Sequence, residues 1–198
     1  MEQEDQPLFK SAHAAITFAL NYSITDHVER SPASKMADDR KGTGGHGLLG
    51  MDGAAQAGLI LAELKRTGEF QEACIIARVA KRKILCNCGA ECCCKHRPNW
   101  QWRDAINSIA MIVKAQMEAD RKEGVRGVKD SPVMRQAIVA KFFGERIRVK
   151  ELAHACEVTE VTVSNHTGKI NKILKHAEGE GWNLLEEALR SSGIVGDI

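Results

Sequence analysis

The chain has 198 residues, enough for one large domain or two small ones, and a formal net charge of only +2 from 28 basic and 26 acidic residues. A protein that coats nucleic acid along its whole length would be more basic, so any nucleic-acid contact must be local. The start, MEQEDQ, is acidic where a secretory signal needs positive charge, and no apolar run is long enough to cross a bilayer. We therefore expect a cytoplasmic protein with no membrane partner, whose seven cysteines do not form structural disulfides.

Helical periodicity runs through nearly the whole sequence, and no segment shows the period-two alternation of a strand. Outside the helix pair described below, the predicted helices cover residues 8–22, 54–66, 70–83, 100–121, 131–143 and 182–191. Asn99 is the expected cap of the fourth of these. The fold class is therefore all-α, with a helical body over residues 1–123, a Gly-containing linker, and a C-terminal region over residues 131–198.

Residues 31–53 form the one long irregular stretch, with six glycines. This composition predicts a mobile loop, and long loops inside compact domains are more often functional than idle. A phosphate-binding P-loop is excluded, because the stretch lacks the terminal Gly-Lys-Ser/Thr and a preceding strand.

Five of the seven cysteines lie within nine residues, in the loop over residues 84–99, and His96 follows them. Thiolates and imidazoles are the ligands of tetrahedral zinc, and a turn at Gly89 can bring four candidate ligands together: Cys86, Cys88, Cys93 and His96. The cluster lacks two separate C-x-x-C pairs, and a metal-free loop of small apolar thiols explains it as well. One zinc ion and no metal both stay open. Cys74 and Cys156 lie on apolar helix faces and are expected in the core.

The segment around the cysteine loop is strongly basic. Residues 78–103 carry seven Lys and Arg residues against Glu91 alone. Such side chains attract phosphate, and Trp100 and Trp102 can stack on unpaired bases, although packing within the fold is the commoner role of tryptophans at a helix start. Contact with RNA is predicted for five cations: Lys81, Arg82, Lys83, Lys95 and Arg97.

Residues 149–175 predict a helix-turn-helix. Leu152 fits the buried face of a first helix, and Thr159 can cap a second helix whose Val163 and Ile170 point inward. Glu157 stands where Gly is usual, since that turn position often needs positive φ. The remaining polar side chains suit bases and phosphates, and we predict seven DNA contacts: Thr159, Glu160, Thr162, Ser164, Asn165, His166 and Lys169. An ordinary helical hairpin with a polar face is the alternative.

The order of these features resembles the phage Q-type transcription antitermination proteins, including the bacterial regulators of cell-lysis genes in that group. The shared phrases are SAHAAITFALNYS, KMADDR, GLLGMDGAAQAGLI, the cysteine loop running into HRPNW, and the C-terminal helix-turn-helix. The most specific are GMDGAAQAG at residues 50–58 and HRPN at residues 96–99, because helix packing requires neither. The resemblance covers nearly the whole chain and departs at Glu157 and at the additional Cys94.

The resemblance implies a transcription antitermination factor with no enzymatic activity. Such a protein binds promoter-proximal double-stranded DNA through residues 131–198. Its body then engages paused bacterial RNA polymerase core with sigma factor, and remodels the exit channel around nascent RNA so that terminators are read through. The resemblance thus makes polymerase, besides RNA, a candidate partner of the five cations named above. From the residues alone, an initiation-stage activator or repressor is the main alternative. An enzyme built on the cysteine loop would need a general base, and none stands at a useful spacing.

Overall fold

A computed structural model describes residues 7–26, 50–86, 88, 94–119 and 131–196. The described chain is mostly helical, as the periodicity predicted. Its elements, in chain order, are α1 (Ala12–Asp26), α2 (Gly50–Arg66), α3 (Glu69–Val79), β1 (Lys83–Leu85), β2 (His96–Pro98), α4 (Trp100–Ala119), α5 (Pro132–Phe142), α6 (Val149–Ala155) and α7 (Glu160–Ser191). Most of the predicted loop 31–53 lies outside the described residues, but its last four residues already belong to α2. The linker after residue 123 lies outside them as well.

The contacts divide the chain into two compact units. The first combines residues up to Glu69 with residues from Gly181 onward. In it α1 packs along α2, and the N–H of Phe9 donates to the carbonyl oxygen of Ile194 over 3.0 Å, which ties the two chain ends together. The fully buried side chains of this unit include Ile16, Ile60, Leu64, Leu185 and Leu189.

The second unit runs from Phe70 to Glu180 and contains α3, both strands, α4, α5, α6 and the first part of α7. Its apolar core includes Ile109, Val113, Met134, Ile138, Ile170 and Leu174. The predicted division into a body over residues 1–123 and a C-terminal region over residues 131–198 stays a prediction.

One charged side chain links three helices of the second unit. Arg78, near the end of α3, donates from Nε and Nη2 to both carboxylate oxygens of Glu178 in α7, over 2.5 and 2.8 Å. Its guanidinium also lies 5.2 and 5.0 Å from the ring centroids of Phe142 and Phe143 at the end of α5. A bidentate, stacked arginine fixes geometry more strictly than a lysine could, so the C-terminal end of α3 is held in place.

Two sequence predictions differ from the structure. The predicted helix 70–83 ends at Val79, and residues 83–85 pair antiparallel with residues 96–98 where no strand was predicted. Strands of three residues are too short to show alternation. Their pairing is supported by Asn99, whose N–H and side-chain amide donate to the carbonyl oxygens of Arg82 and Lys81 over 2.9 and 2.7 Å.

The predicted final helix 182–191 is not separate. It continues α7, which runs without a break for 32 residues. Gly179 and Gly181 suggested a helix end, because each glycine costs about 1 kcal/mol in a helix interior. The apolar spacing of Leu174, Ala177 and Leu185 nevertheless continues through this stretch, and all three are buried. Packing therefore outweighs the local preference.

Candidate nucleic-acid interface

The connection between α6 and α7 is a tight turn held by backbone hydrogen bonds. The N–H of Glu157 donates to the carbonyl oxygen of His154 over 3.2 Å, and that of Val158 donates to Ala153 over 3.0 Å. This pair of bonds is the Schellman arrangement, which places the residue after the helix cap in the left-handed region. Glu157 has φ 53° accordingly. The positive φ expected at this position is therefore present, with a glutamate adopting it.

A second Schellman turn in the same unit, at the end of α5, indicates the conformational free energy that a glutamate at position 157 costs. α5 ends with the same two bonds, and there the left-handed residue is Gly144, with φ 93°. Glycine adopts this region without the clash that a Cβ causes. We therefore expect Glu157→Gly to raise the free energy of unfolding by about 0.5–1 kcal/mol, measured by chemical denaturation. The matched change Glu187→Gly, on the exposed face of α7, should lower it by about 1 kcal/mol. Destabilisation by both changes would contradict a strained turn.

α7 begins at a side-chain cap. The N–H of Thr162 donates to Oγ1 of Thr159 over 3.2 Å, and the two threonine hydroxyls lie 3.0 Å apart. Val163 and Ile170 are buried, as predicted. Four of the predicted DNA contacts are exposed along the opposite face, and Thr162 is half-buried; the exposed four are Glu160, Ser164, Asn165 and Lys169. Thr159 is exposed at the cap. The first three turns of α7 thus present a polar surface on a rigid, capped helix.

His166 departs from this set. It is buried, with 6% of its surface exposed, so its ring is not available to a DNA phosphate. It lies three residues after Val163 and four before Ile170, on the stripe that packs inward. Val161, which the predicted set does not contain, is 68% exposed and lies one turn before Asn165 on the outer face. Its place in the helical spacing was the available signal.

A basic groove of about 1030 Å³ lies elsewhere in the second unit. Its walls are the end of α3, the start of the hairpin, the first turn of α4, and the loop between α5 and α6. Among the described residues, its lining has six basic side chains and one acidic side chain, that of Glu145; the six are Arg78, Lys81, Arg82, Lys83, Arg103 and Arg146. The groove is therefore a concave surface with a strong local excess of positive charge.

The groove contains part of the predicted RNA or polymerase set. Lys81, Arg82 and Lys83 line it, whereas Lys95 and Arg97 are exposed on the second half of the hairpin and do not. Sequence reasoning missed Arg103 and Arg146, since the basic segment ended at the first and the second lies 43 residues later. No local pattern signals that a loop so distant in sequence closes the same groove.

The two tryptophans at the start of α4 differ in environment. Trp102 is half-buried, packs against the core, and donates from Nε1 to the carbonyl oxygen of Ala77 over 3.1 Å. Trp100 is 55% exposed. Packing therefore accounts for Trp102, whereas Trp100 is more than half exposed. Asn99 caps the helix that carries both, accepting from the N–H of Gln101 over 3.1 Å, as predicted.

The cysteine loop is only partly described. Cys86 is half-buried, Cys88 and His96 are exposed, and Cys93 lies outside the described residues. In the hairpin register His96 pairs with Leu85, so strand alternation directs the side chain of Cys86 to the opposite face. No three His, Cys, Asp or Glu side chains converge on a possible metal position within the described residues. The zinc ion stays a prediction. Cys74 is buried, as predicted, and Cys156 packs at the core's edge.

None of the described helices combines the length and apolarity that a membrane crossing requires. The resemblance to the antitermination proteins rests on the sequence phrases quoted above. No family model, no curated protein and no solved structure matches this chain.

Proposed function

We propose that the chain is a non-enzymatic transcription antitermination factor that binds a promoter-proximal DNA element, loads onto paused RNA polymerase with sigma factor, and remodels the RNA exit channel. One observation supports it most: α6 and α7 meet at a tight turn with φ 53° at Glu157, and α7 begins at a Thr159 cap. A tight turn and a capped second helix are features that a helix-turn-helix requires, and such a motif places the start of its second helix in the DNA major groove.

The polar face of α7 supports a base-reading role for this helix. Asn165 can pair bidentately with adenine, and Lys169 one turn further can meet a phosphate. Both side chains are exposed on a helix whose opposite face is buried at Val163 and Ile170, so the backbone that carries them is held in place before DNA arrives. Pre-organised contacts of this kind lower the entropic cost of binding.

The basic groove supports a second contact, because a DNA-reading helix alone explains only recruitment. A factor that acts after initiation must also hold the elongating complex, through polymerase or through the transcript. Lys81 and Lys83 lie on a groove distinct from the α7 surface residues, in the same unit. Zinc in the cysteine loop and a cytoplasmic location belong to the same proposal.

Single-round transcription tests the proposal. Bacterial RNA polymerase holoenzyme would transcribe the protein's own downstream promoter region joined to an intrinsic terminator, with and without the protein. We expect the fraction of transcripts that pass the terminator to rise only when the upstream element is present. A template with a scrambled element is the matched control.

The alternative function gives a different result in the same assay. A conventional helix-turn-helix activator or repressor changes the number of transcripts started and leaves the read-through fraction unchanged. Its supporting observation is the same turn and helix, since initiation factors use that geometry too. A changed transcript number at constant read-through would replace the antitermination proposal with this one.

A further inference from the structure

From the groove in the second unit we infer that this chain carries a site for single-stranded nucleic acid, built from Lys83, Arg103 and Arg146 for phosphates and Trp100 for a base. The inference deepens the transcript contact in the proposed function, and it names the residues and the form of nucleic acid. It concerns binding alone and does not require the DNA element or antitermination.

Not every basic side chain of the groove is available to bind a ligand. Arg78 is already paired with Glu178, and Nη1 of Arg82 donates to the carbonyl oxygen of Gly144 over 2.7 Å. Within the described part of the chain, the side chains of Lys81, Lys83, Arg103 and Arg146 make no ion pair or hydrogen bond; these four are the available cations. They come from three different walls, so an anion in the groove meets positive charge from several sides.

Hydrogen bonds from Asn99 and Arg82 connect the walls of the groove. Asn99 is fully buried and bonds both to the start of the hairpin and to the first turn of α4, which fixes the position of Arg103 relative to Lys83. The bond from Arg82 to Gly144 ties the hairpin to the loop that carries Arg146. The fold thus sets the backbone positions that carry the cations, which reduces the entropic cost of binding to that of ordering the side chains.

The charge and volume of the groove, together with Trp100, indicate the class of ligand. Four unpaired cations from three walls of one groove suit several phosphates, and about 1030 Å³ lies at the upper end of the range for ligand pockets. Trp100 follows the groove residue Asn99 and exposes over half of its surface. Trp100 also lies one helical turn before the groove residue Arg103, and an exposed indole near a basic groove suits an unpaired base, because bases in a duplex present their edges and not their faces. The ligand class is therefore a flexible phosphodiester strand.

Fluorescence anisotropy of the full chain tests this directly. The probes are fluorescein-labelled single strands of twelve uridines and of twelve thymidines, and a mixed-sequence DNA duplex of twelve base pairs. We expect both single strands to bind more tightly than the duplex, with affinity falling as salt rises. The two strands distinguish RNA from single-stranded DNA as the source of the shared chemistry. Because the proposed α7 surface would also bind duplex, the comparison is repeated with Lys169→Ala; duplex binding that survives this change and still exceeds strand binding would overturn the inference in favour of a DNA-backbone surface.

The variants separate stacking from charge. Trp100→Ala should weaken strand binding by about ten-fold or more and leave the salt dependence unchanged. Trp100→Phe, which keeps an aromatic face, should recover most of the loss. Arg103→Gln combined with Arg146→Gln should lower the slope of log affinity against log salt by about 0.7 for each lost phosphate contact. Met111→Ala, which removes an exposed apolar side chain elsewhere on α4, should change neither quantity.

The outcomes also separate this inference from the proposed function. Unchanged strand binding in both Trp100→Ala and the double arginine variant, with circular dichroism showing each folded, would overturn it. Failure of the wild type to bind either strand would overturn it too, even if terminator read-through persisted. Strand binding without read-through would support the groove and remove the antitermination proposal.

Discussion

Alkylation of Cys74 at pH 8 is expected to be at least about 1000-fold slower than that of an ordinary exposed thiol. Its side chain is fully buried in the core of the second unit, and burial raises its pKa from the usual 9.0 to about 12. The Glu178 carboxylate adds to the rise, and the Arg78 guanidinium opposes it. Only the thiolate attacks an alkylating reagent, and with a pKa near 12 about one thiol in ten thousand is ionised at pH 8.

The chain provides its own internal comparison for this measurement. Timed exposure to iodoacetamide, followed by tryptic digestion and mass spectrometry, reports Cys74 in the peptide 67–78 and the five clustered cysteines in the peptide 84–95. The second peptide contains Cys94, whose side chain is exposed. In denaturant the two peptides should react at similar rates. Equal rates in the folded protein would contradict the burial of Cys74.

The same pKa shift makes stability depend on pH. The pKa of Cys74 is higher in the folded chain than the 9.0 of an exposed thiol, so the unfolded chain loses this proton first. The stabilising contribution is fully present below pH 9 and is lost as the pH rises toward 12. Replacing Cys74 with Ala should remove this part of the alkaline loss of stability.

The turn between α6 and α7 could be predicted because its signals are local. A threonine cap, an apolar spacing of seven residues from Val163 to Ile170, and a left-handed position one residue after the α6 cap all lie within a short stretch of sequence. The DNA contact predicted for His166 requires an exposed ring, whereas the residue is buried. It falls between two buried positions, and the helical period already placed it inward.

The groove and the length of α7 could not be predicted in this way. Arg103 and Arg146 are separated by 43 residues, and only the packing of α4 against α5 and the bond from Arg82 to Gly144 bring their backbones to one groove. In α7, the low helix propensity of Gly179 predicted that the helix ends there. The helix continues because residues on both sides of Gly179 are buried. Both features depend on tertiary contacts, which a single sequence does not reveal.

Asn165→Ala is expected to weaken binding to the preferred DNA duplex by about 5- to 150-fold, corresponding to the 1–3 kcal/mol of a bidentate base contact. The probe is a duplex selected by the protein itself from a random library, and its affinity is measured by anisotropy beside that of random duplex. Asn165 is exposed on the outer face of α7 within two turns of the cap, where a helix in the major groove meets base edges. Its loss should therefore weaken the selected duplex far more than random duplex, and reduce the preference between them.

Lys169→Ala is the comparison that distinguishes a phosphate contact from the base contact of Asn165. Lys169 is exposed one turn further along α7, and a phosphate contact there carries no sequence information. Its loss should weaken selected and random duplexes alike and lower the slope of log affinity against log salt by about 0.9. Asn183→Ala, an exposed asparagine near the other end of α7, should change neither affinity. If Asn165→Ala and Lys169→Ala weakened both duplexes equally, α7 would bind the DNA backbone without reading bases, and specificity would have to come from another surface.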